Sequence, residues 1–398
     1  MISLDKAIEH IISKTTRLNI ERIPVNNAIG YILAEDIRAI HDLPAFNKSA
    51  MDGYALCSAD TDSIPVELLC KGIIKAGSSY RNTIRSGECV KIMTGSPLPE
   101  GADSVVMVEN TRERKDKGRV MVLKRTGRYE NICFKGEDIR RGSLVLKKGT
   151  CLRGPEVSIA SSLGRSKISV YRKPSVAILN TGDEVVEPGN RLRRGMIYNS
   201  NGPMLISMLN DMRVRSEYLG IAKDEDKALA DIIRKGFKHD IIILSGGVSM
   251  GDYDLVPSAL KKCGVRKVFH KIKMKPGKPV FFGTRKSSLV FGVPGNPVST
   301  YLTFLILIKP SIEKMMGKAP NLSMREGILK ENFRQKKGRK HFVPVKALNK
   351  GSRLEIFPVK SYHGSADIAS LSQANSFMVV DGSRAFLKKN SMIKVILW

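Results

Sequence analysis

Three short segments combine glycine with hydroxyl, amide or carboxyl side chains directly after an apolar run. They are Thr181-Gly182-Asp183-Glu184, Ser245-Gly246-Gly247 and Pro294-Gly295-Asn296-Pro297. The backbone N–H groups of such loops, at or near the start of a helix, can hold a phosphate without a lysine. Each loop alone is equally well explained as a simple turn. Three of them at one sheet edge would converge, so the set indicates an anion-binding cleft.

Carboxylates accompany two of these loops. Asp183 and Glu184 follow the first apolar run, and Asp252 and Asp254 belong to "SGGVSMGDYD" at 245–254. Isolated acids in loops are usually solvated. Beside phosphate-binding loops they are better interpreted as ligands of Mg²⁺, which takes carboxylate and phosphate oxygens together. We therefore expect the acidic pair to face a metal and a polyanion.

A row of lysines precedes the last sheet strands. It lies in "HKIKMKPGKPVFFG" at 270–283 and comprises Lys271, Lys273, Lys275 and Lys278. In a strand the first three would share one face, where like charges are costly unless an anion or solvent balances them. The pattern alone slightly favours a solvated edge strand, whereas the position beside the glycine-rich loops favours anion binding.

The elements that must position these loops alternate regularly between 173 and 317. Strands are predicted at 175–179, 217–222 and 240–245, and in "PVFFG" and "LVFGV"; helices are predicted at 201–210, 224–237, 254–263 and 298–316. Such alternation is typical of an α/β domain with a parallel-type sheet and helices on both faces.

The flanking sequence predicts mostly β-structure. Residues 1–172 begin with an amphipathic helix and continue as short strands broken by Gly, Pro and charged turns, with one more helix near 154–163. This region is expected to be elongated, with a linker and inserted β modules. Residues 318–398 show short alternating strands typical of a small β-barrel. The predicted domains are therefore 1–172, 173–317 and 318–398.

Composition excludes several classes of protein. The six cysteines and six histidines are scattered without ligand spacing, so a zinc site or a disulfide framework is not indicated and the thiols are expected to be simply buried. Neither G-x-x-x-x-G-K-[ST] nor G-x-G-x-x-G occurs, which argues against a P-loop NTPase and a typical Rossmann enzyme.

The formal net charge is +29 over 398 residues. This positive charge could bind nucleic acid, attract an anionic small substrate or reflect a general bias of the protein surface. Because the basic residues are spread along the chain without a basic tail, surface bias is favoured and no specific nucleic-acid partner is expected. The sequence offers neither a signal peptide nor a membrane-spanning run, so a cytoplasmic protein is expected.

Several motifs together identify a resemblance. In order they are "SAMDGYA", "IMTGSPLPEGAD", "GEDIRRG", "NTGDE", "SGGVSMGDYD", "KMKPGKP", "GVPGNPVS" and "HGSADIASLSQANSFMVV". The set strongly resembles the molybdopterin molybdotransferase family, which includes MoeA and the E domain of gephyrin, over nearly the whole chain. The resemblance implies insertion of molybdate into adenylylated molybdopterin, with release of AMP and assistance from Mg²⁺.

The resemblance also implies roles for individual residues. Asp52, Thr94 and Asp138 would line the cleft from the N-terminal half, and Ser365 would approach it from the barrel. Glu184 and Asp254, with Asp183, would face the metal. Lys271 and Lys275 would bind molybdate or the pterin phosphate, and Lys278 and the loop residues would bind substrate. The family further implies a homodimer whose cleft both subunits complete, and possible contacts with other cofactor-biosynthesis proteins or molybdoenzymes.

Two departures and two alternatives accompany this interpretation. Asn47-Lys48 stands where the family often has Asp-Arg, and Tyr31 stands where Arg is common.

The α/β region is also compatible with the adenylyltransferase that makes the pterin nucleotide, although the two flanking regions argue against it. A non-catalytic scaffold or nucleic-acid binder would instead use the net charge and would tolerate loss of Asp183 and Glu184.

Overall fold

The computed structural model describes residues 1–223, 225–248, 255–320 and 322–398. The chain forms two compact units. One contains residues 1–34, 149–154 and 167–398, and the other contains residues 35–148 and 155–166. Within the described ranges, no helix has the length and apolar character needed to cross a membrane.

The larger unit is built on a six-stranded sheet. In spatial order its strands are Ser216–Ala222, Val176–Thr181, Ile241–Ser245, Ser288–Val293, Phe281–Arg285 and Arg266–His270. The first four run parallel, as the strand and helix alternation predicts. The fifth is antiparallel to both of its neighbours, because only two residues connect it to the fourth and a parallel crossover needs a dozen or more. The sheet is therefore mixed.

Helices cover both faces of this sheet. On one face of the sheet, three helices share a core that includes Ile178, Ile243 and Phe291. They are Leu4–Lys14, Asn201–Asp211 and the long C-terminal helix of the α/β part. The long helix consists of Pro297–Thr303, a π-helical turn Phe304–Ile308 and Lys309–Met315. On the opposite face, Asp226–Gly236 and Val256–Lys262 pack with Leu179 and Leu244. The central strands, buried on both faces, are accordingly almost continuously apolar.

A closed β-barrel completes the larger unit. Its strands are Met324–Leu329, Lys340–Lys350, Arg353–Pro358, Ser376–Val380 and Met392–Leu397. Pairing between the second and fourth of these closes the ring, and the core inside it includes Val343, Ile356 and Met378. The predicted C-terminal barrel is thus confirmed. Helix Ile368–Gln373 and the strand pair Phe333–Arg334 with Phe386–Leu387 flank it.

Shorter strands complete the description of this unit. The pairs are Ile20–Pro24 with Lys167–Tyr171, Val185–Val186 with Ile197–Tyr198, and Met274–Lys275 with the start of Lys340–Lys350.

The smaller unit is mostly β-structure, as predicted for the N-terminal half. Its six-stranded sheet has the spatial order Ser104–Met107, Gly53–Leu56, Glu88–Ile92, Val66–Ile74, Arg119–Val122 and Thr111–Arg114. Two short pairs, Ile37–Arg38 with Leu144–Leu146 and Lys48–Ser49 with Ile132–Cys133, lie outside this sheet. Most of helix Gly154–Ser162 also belongs to this unit.

The cysteines are less uniform than the sequence suggests. All six are free thiols, but Cys89 and Cys263 alone are buried, Cys151 is exposed and the other three are half-buried. The expectation that the thiols are simply buried is therefore wrong for four of them, since Cys57 and Cys151 lie outside the named strands and Cys70 and Cys133 lie in strands that are only partly covered.

Candidate functional site

The loops that follow strands Val176–Thr181 and Ile241–Ser245 touch through glycine. A Cβ atom on Gly246 would lie 2.5 Å from the Thr181 carbonyl oxygen, and one on Gly247 would lie 2.8 Å from Thr181 Oγ1. Both glycines have positive φ, 100° and 61°, a conformation that other residues adopt at a cost. Glycine is thus required for the two loops to approach this closely.

The third loop is held against the second by Asn201. Its Nδ2 donates hydrogen bonds to Ser245 Oγ at 2.9 Å and to the Gly295 carbonyl oxygen at 2.6 Å. The three glycine-rich loops singled out from the sequence therefore lie together at one edge of the sheet. Asn201 begins helix Asn201–Asp211, so a helix from a fourth segment of the chain joins the loops.

These loops surround a cavity of about 460 Å³, here named the loop cavity. Its lining includes Gly182, Glu184, Ser245, Gly246, Gly247, Pro294, Gly295 and Asn296. Three further lining residues carry buried oxygens that have no hydrogen-bond partner in the described structure: Asn180 Oδ1, Thr181 Oγ1 and Asn201 Oδ1. Buried acceptors without partners are rare, so the loop cavity is suited to a ligand that donates hydrogen bonds.

A hydrogen-bond network holds Asn199, which lines the loop cavity. Asn199 Nδ2 donates to the Tyr218 hydroxyl at 2.7 Å, and the Gly202 backbone N–H donates to Asn199 Oδ1 at 2.9 Å. The Tyr218 hydroxyl in turn donates to the Glu187 carboxylate. Burial and this carboxylate raise the pKa of Tyr218. Glu187 is thus occupied within this network.

The three acids predicted to face a metal differ in where they lie. Glu184 lines the loop cavity and is exposed, and a Cβ on Gly182 would lie 2.7 Å from Glu184 Oε2. Asp183 is also exposed. Asp254, with Asp252, lies outside the described residues. Across the parts of the chain that the structure describes, no group of three or more His, Cys, Asp or Glu residues could hold a metal ion.

A second cavity of about 540 Å³, here named the basic cavity, lies beside the barrel. Its cationic lining residues are Lys275, Lys278, Arg334 and Arg339. Among the described residues that line it, none is acidic. Arg339 is fixed by a hydrogen bond from Nη1 to the Met274 carbonyl oxygen at 2.8 Å. Concentrated positive charge without a compensating carboxylate is the electrostatic requirement for binding an oxoanion.

His341 remains neutral within this cationic lining. Burial, together with the charges of Lys275 and Arg339, lowers its pKa from 6.5 to about 4. Its Nδ1 lies 2.7 Å from Gln335 Oε1, to which it donates, whereas its buried Nε2 has no partner in the described structure. The imidazole therefore adds no positive charge near neutral pH but adds an unused hydrogen-bond acceptor.

Asn296 joins the two cavities. It lines both, as do Pro279 and Pro294. Its Nδ2 donates to Ser365 Oγ at 2.7 Å, and the backbone N–H of Val298 donates to the Ser365 carbonyl oxygen at 3.1 Å. The barrel loop that carries Ser365 is thus bonded to the start of the long C-terminal helix.

The lysine row departs from the predicted single strand. Lys271 has a positive φ of 76°, which ends the extended run after Arg266–His270, and only Met274–Lys275 re-forms a strand. Ile272 and Met274 are nevertheless buried, whereas Lys273 and Lys275 are exposed. Lys275 and Lys278 line the basic cavity; in the described structure Lys271 and Lys273 do not. The prediction of one continuous strand was wrong because left-handed Lys271 interrupts it, whereas the predicted alternation is retained at Lys273 and Lys275.

In the smaller unit, the motif residues of the N-terminal half form a hydrogen-bonded group. Thr94 donates to Asp52 Oδ1 from its backbone N–H at 2.6 Å and from its hydroxyl at 2.8 Å. These two hydrogen bonds lower the pKa of the Asp52 carboxyl. Asp52 is exposed, so an ionised carboxylate stands at the surface of this unit, fixed by its neighbour.

The remaining motifs of this unit border the same group. The Gly95 backbone N–H donates to the Ser49 carbonyl oxygen at 2.8 Å, and strand Lys48–Ser49 pairs with Ile132–Cys133. The Lys135 backbone N–H donates to Asn47 Oδ1 at 2.8 Å, so the asparagine that departs from the family pattern has a structural role. Asp138, a few residues further along, is exposed.

Sequence reasoning missed Asn180, Asn199 and Asn201 in the loop cavity and Arg334, Arg339 and His341 in the basic cavity. The pair Asn199 and Asn201 in "NSNGP" directly precedes a predicted helix, which is a usable signal for a helix-start site. The arginines offered no such signal, because they lie in a run of basic residues within a uniformly basic chain.

Family comparisons agree with this architecture. The chain matches three family models: the MoeA N-terminal region (domains I and II) at residues 2–164, a probable molybdopterin-binding domain at 177–314, and the MoeA C-terminal region (domain IV) at 326–398. The mixed sheet, its loops and the barrel together define a multidomain protein of molybdenum cofactor biosynthesis.

Similar proteins span the whole chain. Molybdopterin molybdenumtransferases of Staphylococcus epidermidis and Staphylococcus aureus are 31% and 30% identical, covering 100% of this chain and 95% of theirs. A solved structure of a molybdopterin biosynthesis MoeA protein from Pyrococcus horikoshii has a TM-score of 0.82 and 31% identity, covering 100% of this chain and 99% of that one. A second has a TM-score of 0.78 and 26% identity, covering 100% of both. The chain belongs to the MoeA family of molybdopterin molybdenumtransferases.

Proposed function

We propose that this protein inserts molybdenum from molybdate into adenylylated molybdopterin and releases AMP. The observation that carries the proposal is the adjoining of two unlike cavities at Asn296. One is lined by cations without an acid among its described residues, and the other by glycine-rich loops and buried acceptor oxygens. An oxoanion and a pterin nucleotide need these two environments side by side.

The loop cavity is assigned to the pterin nucleotide. Glycine-rich loops leave backbone N–H groups open to phosphate oxygens, which supports the predicted substrate-binding role of Ser245, Gly246, Gly247 and the 294–297 loop. The buried oxygens of Asn180, Thr181 and Asn201 accept hydrogen bonds, and a pterin ring carries N–H donors. The two kinds of lining therefore match the two ends of the substrate.

The basic cavity is assigned to molybdate. Transfer requires a dianionic oxoanion to approach a substrate that already carries phosphate charge. Lys275 and Lys278 offset this repulsion, with Arg334 and Arg339 beside them. Ser365 adds a hydroxyl at the boundary with the loop cavity, next to Asn296. These residues hold the oxoanion close to the pterin without a protein nucleophile.

The residues present fit Mg²⁺ as the assisting ion. Mg²⁺ keeps several waters and binds through one or two carboxylates together with substrate phosphates, so it needs no preformed cluster of protein ligands. Glu184 at the loop cavity and the adjacent Asp183 would hold it, with Asp254 as a further candidate ligand. When bound, it would neutralise phosphate charge as AMP departs.

The protein is further proposed to act in the cytoplasm as a homodimer. Asp52, Thr94 and Asp138 belong to one compact unit, and Glu184 and Lys275 belong to the other. If a cleft combines the two units from different subunits, mixed dimers of Asp52→Asn and Glu184→Gln chains contain one intact cleft and regain activity. Mixtures that stay inactive, although mixed dimers form, would contradict shared clefts. Contacts with other cofactor-biosynthesis proteins or molybdoenzymes remain part of the proposal.

The test is the reaction itself. The purified protein is incubated with adenylylated molybdopterin and Mg²⁺, with and without molybdate, and AMP and molybdenum-loaded pterin are quantified. We expect both products in equal amounts and only with molybdate. Binding of adenylylated molybdopterin without release of AMP would favour a non-catalytic scaffold. Formation of adenylylated pterin from ATP would favour the adenylyltransferase alternative. Salt-sensitive binding of DNA or RNA without turnover would favour nucleic-acid recognition.

A further inference from the structure

Two cysteines face each other in the sheet of the smaller unit. Strands Val66–Ile74 and Glu88–Ile92 are parallel neighbours, and Cys70 is paired in register with Cys89. Neighbouring strands lie about 4.8 Å apart, and disulfides join Cα atoms separated by about 4.4–6.8 Å. The register of the two strands therefore brings these residues within the Cα spacing that a disulfide requires.

The two side chains occupy the same side of the sheet but differ in exposure. Cys89 is fully buried in a core with Tyr54, Leu56 and Leu68, and Cys70 packs against that core while remaining half-buried. Interaction with the Cys89 thiol as a hydrogen-bond donor is the main cause that lowers the pKa of Cys70 to about 6; the Cys70 thiol itself donates to the Gly72 carbonyl oxygen at 3.5 Å. Interaction with Cys70, together with burial, raises the pKa of Cys89. An accessible thiolate thus lies against a buried thiol.

Charged groups close to this pair are bound to one another: Lys71 and Glu88, the chain neighbours of the two cysteines, form one ion pair. Lys91, two residues after Cys89 on the same strand, forms an ion pair with Glu113, and the Tyr54 hydroxyl donates to the same carboxylate. The negative charge of Glu113 opposes ionisation of Cys70, but more weakly than the Cys89 hydrogen bond favours it. Of the neighbours of Cys70, Cys89 therefore has the largest effect on its pKa.

We propose that Cys70 and Cys89 form a reactive dithiol that exchanges with small-molecule disulfides of the glutathione class. The Cys70 thiolate attacks one sulfur of the reagent, the S–S bond of the reagent breaks, and one thiolate leaves and takes a proton from water. The Cys89 thiol then loses its proton and attacks the Cys70 sulfur, which expels the second reagent thiolate. Two protein thiols are oxidised and one reagent disulfide is reduced to two thiols.

Treatment of the full chain with oxidised glutathione tests this proposal. Samples are quenched with an alkylating agent, and peptides are mapped by mass spectrometry without reduction. The wild type is expected to yield a Cys70–Cys89 cross-linked peptide after a transient glutathione adduct on Cys70. In Cys89→Ser that adduct should persist, and in Cys70→Ser Cys89 should stay unmodified. Cys151, the exposed thiol, serves as the internal reference for reagent access.

Two variants at position 89 distinguish a reactive pair of thiols from two thiols that are only close in space. Serine at position 89 keeps a hydrogen-bond donor to Cys70, whereas alanine removes it, so alkylation of Cys70 should shift to higher pH in Cys89→Ala than in Cys89→Ser. Circular dichroism checks that each variant is folded. If either variant unfolds, the order in which the glutathione adduct and the cross-link appear in the wild type still tests the proposal. The proposal is overturned if oxidised glutathione modifies Cys151 while Cys70 and Cys89 remain thiols, or if wild-type Cys70 retains the adduct without forming the cross-link.

Discussion

The amide of Asn296 donates a hydrogen bond to the hydroxyl of Ser365 at 2.7 Å. This bond joins the start of the long C-terminal helix of the α/β part to a loop of the β-barrel, at the point where the basic cavity and the loop cavity meet. Ser365, which the sequence connects with the site only by resemblance, therefore lines the basic cavity beside Asn296, where that cavity meets the loop cavity.

Ser365→Ala should weaken use of molybdate while the protein stays folded. The substitution removes one hydroxyl from the boundary of the basic cavity, and a hydrogen bond to a charged group contributes about 1.5–3 kcal/mol. The molybdate concentration at half-maximal rate should rise roughly ten- to a hundredfold. Ser361→Ala, on an exposed residue nearby in the sequence, is the matched control. An unchanged molybdate dependence would remove Ser365 from the site.

His341 should titrate far below an ordinary histidine. Its pKa is lowered to about 4, so the imidazole is neutral at pH 7 and becomes cationic only in acid. The unfolded chain binds that proton near pH 6.5, so this group destabilises the fold as the pH falls from about 6.5 to 4, by on the order of 1–3 kcal/mol. NMR of isotope-labelled histidine, assigned with His341→Gln, measures the pKa directly. A midpoint near 6.5 would contradict the described burial and charge.

An oxoanion bound in the basic cavity should raise the pKa of His341. The charges of Lys275 and Arg339 contribute to keeping the imidazole neutral, and a bound anion offsets them. The same NMR titration in saturating molybdate should therefore give a higher midpoint than without it. Chloride at equal ionic strength controls for screening, and identical midpoints would place the oxoanion elsewhere.

Gly246→Ala should be far more damaging than Gly295→Ala. A Cβ on Gly246 meets the Thr181 carbonyl oxygen at 2.5 Å and the residue has a φ of 100°, whereas a Cβ on Gly295 has its nearest contact at 3.7 Å. Strain at such a position costs roughly 1–3 kcal/mol. Thermal unfolding and AMP binding should both deteriorate in the first variant only. Equal tolerance of both substitutions would mean that the loops do not need this close approach.

Asp52→Asn tests whether the exposed carboxylate has a role beyond bonding Thr94. Asparagine keeps an oxygen that can accept both hydrogen bonds from Thr94 but loses the charge. If the charge acts on substrate, turnover should fall by at least about tenfold while the melting temperature stays close to that of the wild type. Thr94→Val, which removes only the hydroxyl donor, is the companion variant. A lower melting temperature with normal turnover would assign Asp52 a purely structural role.

Local patterns predicted much of the architecture. Strand Ile241–Ser245 begins with three consecutive isoleucines, and Asn201–Asp211 has apolar residues at helical spacing, so both lie within a residue or two of their predicted ends. The antiparallel direction of strand Phe281–Arg285 was not anticipated, although its short connection to Ser288–Val293 leaves no room for a parallel crossover. The break at Lys271 was also missed, since a single left-handed residue leaves no trace in the alternation of side chains.

The candidate site was predictable only in part. The glycine-rich loops could be predicted because the residues that favour a turn are adjacent in the sequence. The basic cavity depends on Met274–Lys275 pairing with Lys340 and His341, residues that are far apart in the chain and become neighbours only in the folded protein. Nothing near Arg339 distinguishes it from other basic residues. Long-range pairing, and not residue type, selects the arginines that reach the site.

The most direct test of the account is single-turnover AMP release measured across molybdate concentrations for the wild type, Glu184→Gln and Lys278→Met. Lys278→Met should require more molybdate but approach the wild-type rate at saturation, because it weakens oxoanion binding in the basic cavity. Glu184→Gln should remain slower, on the order of a hundredfold, at every concentration, because it alters the loop cavity that we assign to the pterin nucleotide. If both variants follow the wild-type curve, or if the wild type releases AMP independently of molybdate, the two-cavity account is contradicted.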